Sequence, residues 1–286
     1  MSRSFSNSIR AGMSWMRDGL AARLARIGVA PNHLTLIGLG WTIVAGVCLA
    51  IGLAQPGDGS DHTPLNPGAH PANWWLWAAG GFIILAGAAD ILDGAVARAG
   101  NLATEAGAFL DSTLDRFSDV ALFAGMGAGF AWRLPGNFTY VLLAMLAMGH
   151  AVVISYTRAR AEDLIANCKV GWWERGERIV AVLIATMFAQ IPAVLWLLAT
   201  LPLLTATRRI VYTMKMTAHH RRTGEDLSIT QIKPIGPGLF RLALWRYPRG
   251  TIAYDVLVAA CILWIILAPI RGTVDPIREW ICRLAG

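Results

Sequence analysis

From Ile179 to Thr207 the chain runs 29 residues without a charged side chain. A bilayer core about 30 Å thick takes about 20 helical residues, and at ~1.5 Å per residue this run would measure about 43 Å as one helix. It therefore reads as two spans. Gln190-Ile191-Pro192 is the expected break, because proline cannot continue a helix and biases its predecessor away from helical dihedrals. Other long apolar runs lie at Thr35–Leu53, Trp74–Ala89, Val120–Trp132, Phe138–Tyr156 and Thr251–Ile270. Composition agrees: of 286 residues 55% are hydrophobic and 15% charged, against about 45–50% and 25% in ordinary soluble domains. That rejects a two-domain soluble reading. Cys48, Cys168, Cys261 and Cys282 are far apart with no CxxC pair, which rejects a disulfide scaffold.

Basic residues set the expected sidedness, since cytoplasmic segments carry the excess Lys and Arg. Ser2 to Ala30 has five Arg and one acid interleaved with apolar residues, the pattern of an amphipathic helix lying on the cytoplasmic surface. Gln55 to Asn73 has neither Lys nor Arg and belongs outside; Arg158 to Arg178 and Arg208 to Arg249 belong inside. The expected fold is all-α, a polytopic integral membrane helical bundle. Residues 1–30 form the surface helix, 31–213 a domain of six spans, and 214–286 an extension with a seventh. Trp74, Trp75, Trp77, Trp172 and Trp173 read as interfacial anchors, and His150 as an interhelical hydrogen-bond donor.

Four acids sit where spans two and three meet the cytoplasmic face: Asp90, Asp93, Asp111 and Asp115. An acid near a bilayer centre costs about 2.5–3.5 kcal/mol on insertion scales. Asp90 and Asp93 are spaced i, i+3, and Asp111 and Asp115 i, i+4, so each pair shares a helix face. A hairpin through Arg98 to Ala106 would converge all four. Such charges call for cations, and oxygen donors suit hard divalent ones, Mg²⁺ or Mn²⁺, with two ions expected because one leaves net negative charge. The neighbouring Gly94, Arg98 and Gly107 suit a phosphate held close to the backbone. The net charge of +7, with 22 of 25 basic residues Arg, fits topology plus a phosphorylated substrate rather than nucleic acid. A divalent-metal transporter is the alternative from another class, and it predicts acids spread through the membrane depth.

The stretch Asp90-x2-Asp93-Gly94-x2-Ala97-Arg98-x8-Gly107-x3-Asp111-x3-Asp115 resembles the full signature of the CDP-alcohol phosphatidyltransferases. The resemblance implies two metal ions on Asp90, Asp93, Asp111 and Asp115, and a CDP-lipid on Gly94, Ala97, Arg98, Thr104 and Gly107. It further implies a cytidine site at Pro31, Asn32 and His33, Asp115 as proton acceptor, CDP-diacylglycerol or a related CDP-lipid as donor, CMP as leaving product, and a homodimer. Ile154–Glu162, Trp173–Arg178 and Arg208-Arg209 are similar to the inositol-phosphate branch, with Arg158 standing where Lys is usual. Arg158, Arg175 and Arg209 are the expected cations for the acceptor's phosphate, inositol phosphate first and glycerol phosphate as the alternative. Asp119, one turn past Asp115, is expected to support the site or to pair with Arg116.

Overall fold

The computed structural model describes residues 17–55, 73–133, 136–165, 168, 170–171, 173–223, 252–268 and 275–285. These residues form nine helices and, among them, no strand: α1 (17–26), α2 (Pro31–Ala54), α3 (Trp74–Ala99), α4 (Glu105–Trp132), α5 (Phe138–Glu162), α6 (Arg175–Met187), α7 (Ile191–Thr223), α8 (Ile252–Leu267) and α9 (Pro276–Ala285). Helices α2, α3, α5 and α7 are long and apolar enough to cross a membrane. The chain is a multi-pass helical membrane bundle. Expectations for Ser2–Met16, most of the loop after α2, Trp172 and residues 224–251 lie outside the described residues.

Three helix ends share one device. Val29 N bonds Leu24 O while Gly28 takes φ +81; Leu102 N bonds Ala97 O around Asn101 at φ +53; Gln190 N bonds Ala185 O around Ala189 at φ +53. Each is a six-to-one closure with one left-handed residue, which satisfies carbonyls that the helix leaves unpaired. The first delivers the chain to Pro31 at the start of α2, where its missing N–H costs nothing. The last falls at the expected break, with Pro192 in the first turn of α7. The two halves are unequal: α6 has 13 residues, about 20 Å, whereas α7 has 33 and continues past Arg208 and Arg209.

Helices α2 and α4 touch backbone to backbone. A Cβ on Gly125 would fall 2.2 Å from Gly46 O, and one on Gly129 2.9 Å from Ala50 O, so small residues are required at this crossing. This contact lays the first turns of α2 beside the acidic face of α4. Ala21 of α1 packs fully buried on Ala95 and Val96 near the end of α3.

At the opposite end of the bundle the Asp275 carboxylate caps two helices at once. It accepts from Phe138 N at 2.7 Å and from the Thr139 hydroxyl at the start of α5, and from Arg278 N at 3.1 Å in α9. Burial pushes this carboxyl up, but the hydrogen bonds outweigh it and hold it below the ordinary carboxylate range. Tyr254 meets Glu177 at the other end, so α8 runs between the two ends. Trp173 departs from its expected role as an anchor: it is buried in the main core, with its carbonyl accepting from Arg178 Nη1 at 3.0 Å. Between α5 and α6, Ile165, Cys168, Val170 and Trp173 are all buried, which local sequence does not register.

Candidate functional site

The α3–α4 hairpin builds the site. Helix α3 closes around Asn101, and Thr104 then caps α4 by accepting from Gly107 N at 3.0 Å, with Glu105 in the first turn favourable to the helix dipole. The polar stretch is thus helical almost throughout, and the acids keep the faces their spacing assigned. Carboxylate oxygens of Asp90, Asp93 and Asp111 all lie within 4.8 Å of one another. Asp115 joins through Arg175 at the start of α6, whose Nη1 is 2.9 Å from Asp90 Oδ1 and 3.0 Å from Asp115 Oδ1. Asp90, Asp93, Asp115, Thr35, Ser118 and Arg175 line one cleft.

At 4.8 Å and an effective dielectric near 20, each pair of these charges repels by about 3.5 kcal/mol. One arginine does not offset three such pairs. Asp111 Oδ1 is buried with no hydrogen-bond partner, so it is an oxygen donor available to a cation. A hard divalent ion fits this all-oxygen set.

The cytidine and diphosphate residues expected from sequence gather beside the acids. A Cβ on Gly107 would lie 3.1 Å from Thr104 Oγ1 and 3.6 Å from Asn32 Oδ1, and one on Gly94 3.4 Å from Arg98 Nη1. Pro31 opens α2 and its carbonyl accepts from the Thr35 hydroxyl at 3.2 Å. His33 and Arg98 are exposed, and Ala97 is half-buried on α3.

Of the three expected acceptor arginines, Arg158 and Arg209 meet at Glu174, whereas Arg175 reaches Asp90 and Asp115 instead. Arg158 Nη1 is 3.8 Å and Arg209 Nη2 3.9 Å from Glu174 Oε1, and Arg175 is the next residue. Arg158 also pairs with Glu162 at 3.0 Å. Arg209 is buried and donates from Nε to Val170 O at 3.0 Å and from Nη1 to Ile154 O, so it also ties α7 to α5. Glu174 and Glu177 form a capping box on α6. Their three-residue spacing was the available sequence signal.

Two further interactions were not legible. Thr35 Oγ1 donates to Asp93 Oδ2 at 2.8 Å, holding a buried acid from the neighbouring helix. Asp119 pairs with Arg178 Nη2 at 2.6 Å, both fully buried, and not with Arg116. Asp115–Arg175 and Asp119–Arg178 thus make two rungs between α4 and α6. His150 Nδ1, expected to bond between helices, is buried without a partner.

Helices spanning a membrane, with carboxylate oxygens gathered in the α3–α4 hairpin, define a membrane protein whose hairpin offers an all-oxygen site that suits a divalent cation. Comparison with known proteins narrows the class. The family model for CDP-alcohol phosphatidyltransferase matches residues 28–219, and the chain belongs to that family. It is 32% identical over 222 residues to the phosphatidylinositol phosphate synthase of Cutibacterium acnes, covering 74% of this chain and 96% of that protein. Over 143 residues it is 41% identical to the archaetidylinositol phosphate synthase of Methanothermobacter thermautotrophicus, covering 48% of this chain and 67% of that one. Crystal structures of Mycobacterium tuberculosis phosphatidylinositol phosphate synthase superpose at 25% identity over 69% of this chain. With CDP-DAG bound the TM-score is 0.55 over 92% of that chain, and with manganese and citrate it is 0.54 over 88%.

Proposed function

We propose that this enzyme transfers the phosphatidyl group of CDP-diacylglycerol, or of a related CDP-lipid, to inositol phosphate, giving phosphatidylinositol phosphate and CMP. The observation that carries the reading is the convergence of Asp90, Asp93 and Asp111 within 4.8 Å, with Arg175 linking Asp115 to the same point. The names of the relatives support the acceptor.

In the reaction an acceptor hydroxyl oxygen bonds to the lipid-linked phosphorus, the bond from that phosphorus to the bridging oxygen breaks, and CMP departs with that oxygen. Asp115 takes the hydroxyl proton or orients the hydroxyl as it attacks. When bound to Asp90, Asp93, Asp111 and Asp115, two divalent ions, Mg²⁺ or Mn²⁺, would neutralise the diphosphate and the charge growing on the leaving oxygen. Gly94 and Gly107 let the diphosphate approach the backbone, with Arg98 and Thr104 as donors to it and Ala97 leaving room beside them. Pro31, Asn32 and His33 face the cytidine. Arg158, Arg175 and Arg209 supply positive charge for the acceptor's phosphate. Residues 31–213 form the catalytic membrane domain, preceded by a surface helix in 1–30 and followed by an extension from 214 to 286. The chain works as a homodimer in the cell membrane, with the site open to the cytoplasm and lipid tails entering between helices.

The test is CMP release by purified protein with Mg²⁺ or Mn²⁺, CDP-diacylglycerol, and inositol phosphate, glycerol phosphate or serine in turn. Release with inositol phosphate alone supports the reading. Release with glycerol phosphate alone replaces the acceptor, and no release with any of them sinks the proposal. Asp115→Asn lowers turnover by at least about a hundredfold if Asp115 handles the proton; full activity there removes it from that role.

A further inference from the structure

Tyr254 lies in the first turn of α8, outside the stretch 28–219 that matches the family. Its hydroxyl nevertheless donates to Glu177 Oε1 on α6. Glu177 has a second task, because its Oε2 accepts the backbone N–H of Glu174 at 3.0 Å and so closes one half of the capping box that opens α6. Between those two residues sits Arg175, whose guanidinium reaches Asp90 and Asp115. Glu174 itself faces Arg158 and Arg209. One carboxylate therefore joins α8 to the turn that carries Arg175 and presents Glu174 to Arg158 and Arg209.

Elsewhere along the α6–α8 contact the described side chains that line its cavity are apolar. Val180, Ala181, Val258, Cys261 and Ile265 face one another across an apolar cavity of about 180 Å³. Apolar contacts of this kind hold two helices together without setting the rotation of a polar side chain. A hydrogen bond to a carboxylate does set it, because it is directional and strengthened by charge. With the Tyr254 hydroxyl removed, Glu177 Oε1 has lost a buried donor and turns toward whatever replaces it. Its hold on Glu174 N then weakens, and the first-turn N–H groups of α6 open to exchange.

We infer that Tyr254 is a positioning residue, supplied by the C-terminal extension, that acts through Glu177 to hold the first turn of α6 and with it the arginines facing the acceptor's phosphate. The inference rests on the acceptor site proposed above. The experiment uses the full chain with CDP-diacylglycerol and inositol phosphate. Tyr254→Phe raises the KM for inositol phosphate about three- to tenfold, leaves the KM for CDP-diacylglycerol within about twofold, and speeds amide hydrogen exchange at residues 175–178. In a Glu177→Ala background the same substitution adds nothing, since its route is already cut. Unchanged exchange in Tyr254→Phe overturns the inference, as do equal rises in both KM values or effects that add to those of Glu177→Ala. If wild-type protein transfers to no acceptor, the proposed function fails, and the exchange measurement still decides whether Tyr254 holds the turn.

Discussion

Replacing Arg178 by Ala should be the most destabilising single change near the site that leaves every acid of the cluster in place. The Arg178–Asp119 pair is 2.6 Å long with side chains only 2% and 1% exposed, and Arg178 also donates to Trp173 O. Truncation strands a buried carboxylate whose other oxygen already lacks a partner. Breaking a buried pair from one side costs about 3–5 kcal/mol, which corresponds to a fall in melting temperature on the order of 10 °C for a chain of this size. The control is Arg160→Ala, whose partner Asp163 lies 3.1 Å away with both side chains more than 60% exposed; such pairs are worth about 0–1 kcal/mol. Thermal unfolding of detergent-solubilised protein, followed by intrinsic fluorescence, compares the two. A third variant isolates the cause: Arg178→Met with Asp119→Leu removes both charges and should return stability to within about 1 kcal/mol of wild type. The reasoning is refuted if Arg178→Ala is no worse than Arg160→Ala, or if the doubly apolar variant melts as low as the single one. Activity of the double variant reports separately on register. Arg175 must still meet Asp115 one rung away, without the Asp119 rung to align α6 on α4.

Gly125→Ala places a Cβ 2.2 Å from Gly46 O, so the α2 and α4 backbones must part, at about 1–3 kcal/mol of overpacking; unfolding midpoints check this, and an unshifted midpoint contradicts the close crossing. Thr35→Val removes the donor to Asp93 Oδ2 and should raise the Mn²⁺ concentration for half-maximal CMP release about tenfold, whereas an unchanged metal titration dismisses Thr35 from this role. Asp275 has its folded pKa held below the unfolded value of about 3.9, so its contribution is complete above that value and is lost as pH falls toward the folded pKa. Asp275→Ala should therefore cost about 1 kcal/mol per cap at neutral pH, with the gap to wild type closing in melts below about pH 4; a gap independent of pH would contradict the double cap.

What could be read in advance was what contiguous residues decide. Uncharged length specifies membrane helices, and Pro192 marks the break that Ala189 and Gln190 execute. The i, i+3 and i, i+4 spacing of the acids puts each pair on one face, and once the hairpin closes at Asn101 Asp90, Asp93 and Asp111 come together, with Asp115 linked to them through Arg175. Hydropathy, helical period and turn chemistry are all local properties, and a chain carries them before it folds.

Partnerships across helices depend instead on how closely and at what register the helices pack. Thr35 finds Asp93 across 58 residues, Arg178 finds Asp119 across 59, and Arg175 finds Asp90 across 85. Arg175, read from sequence as a cation for the acceptor, also touches two of the acids. Arg209, placed in the same pocket by its charge, is buried and tied to backbone carbonyls. Sequence alone thus determined a membrane helical bundle with an acidic hairpin whose oxygen donors suit a divalent ion. Only tertiary structure decided which arginine faces which acid, because that choice is made by the glycine-lined approach of α2 to α4 and the lateral register of α6, neither of which is encoded in any single segment.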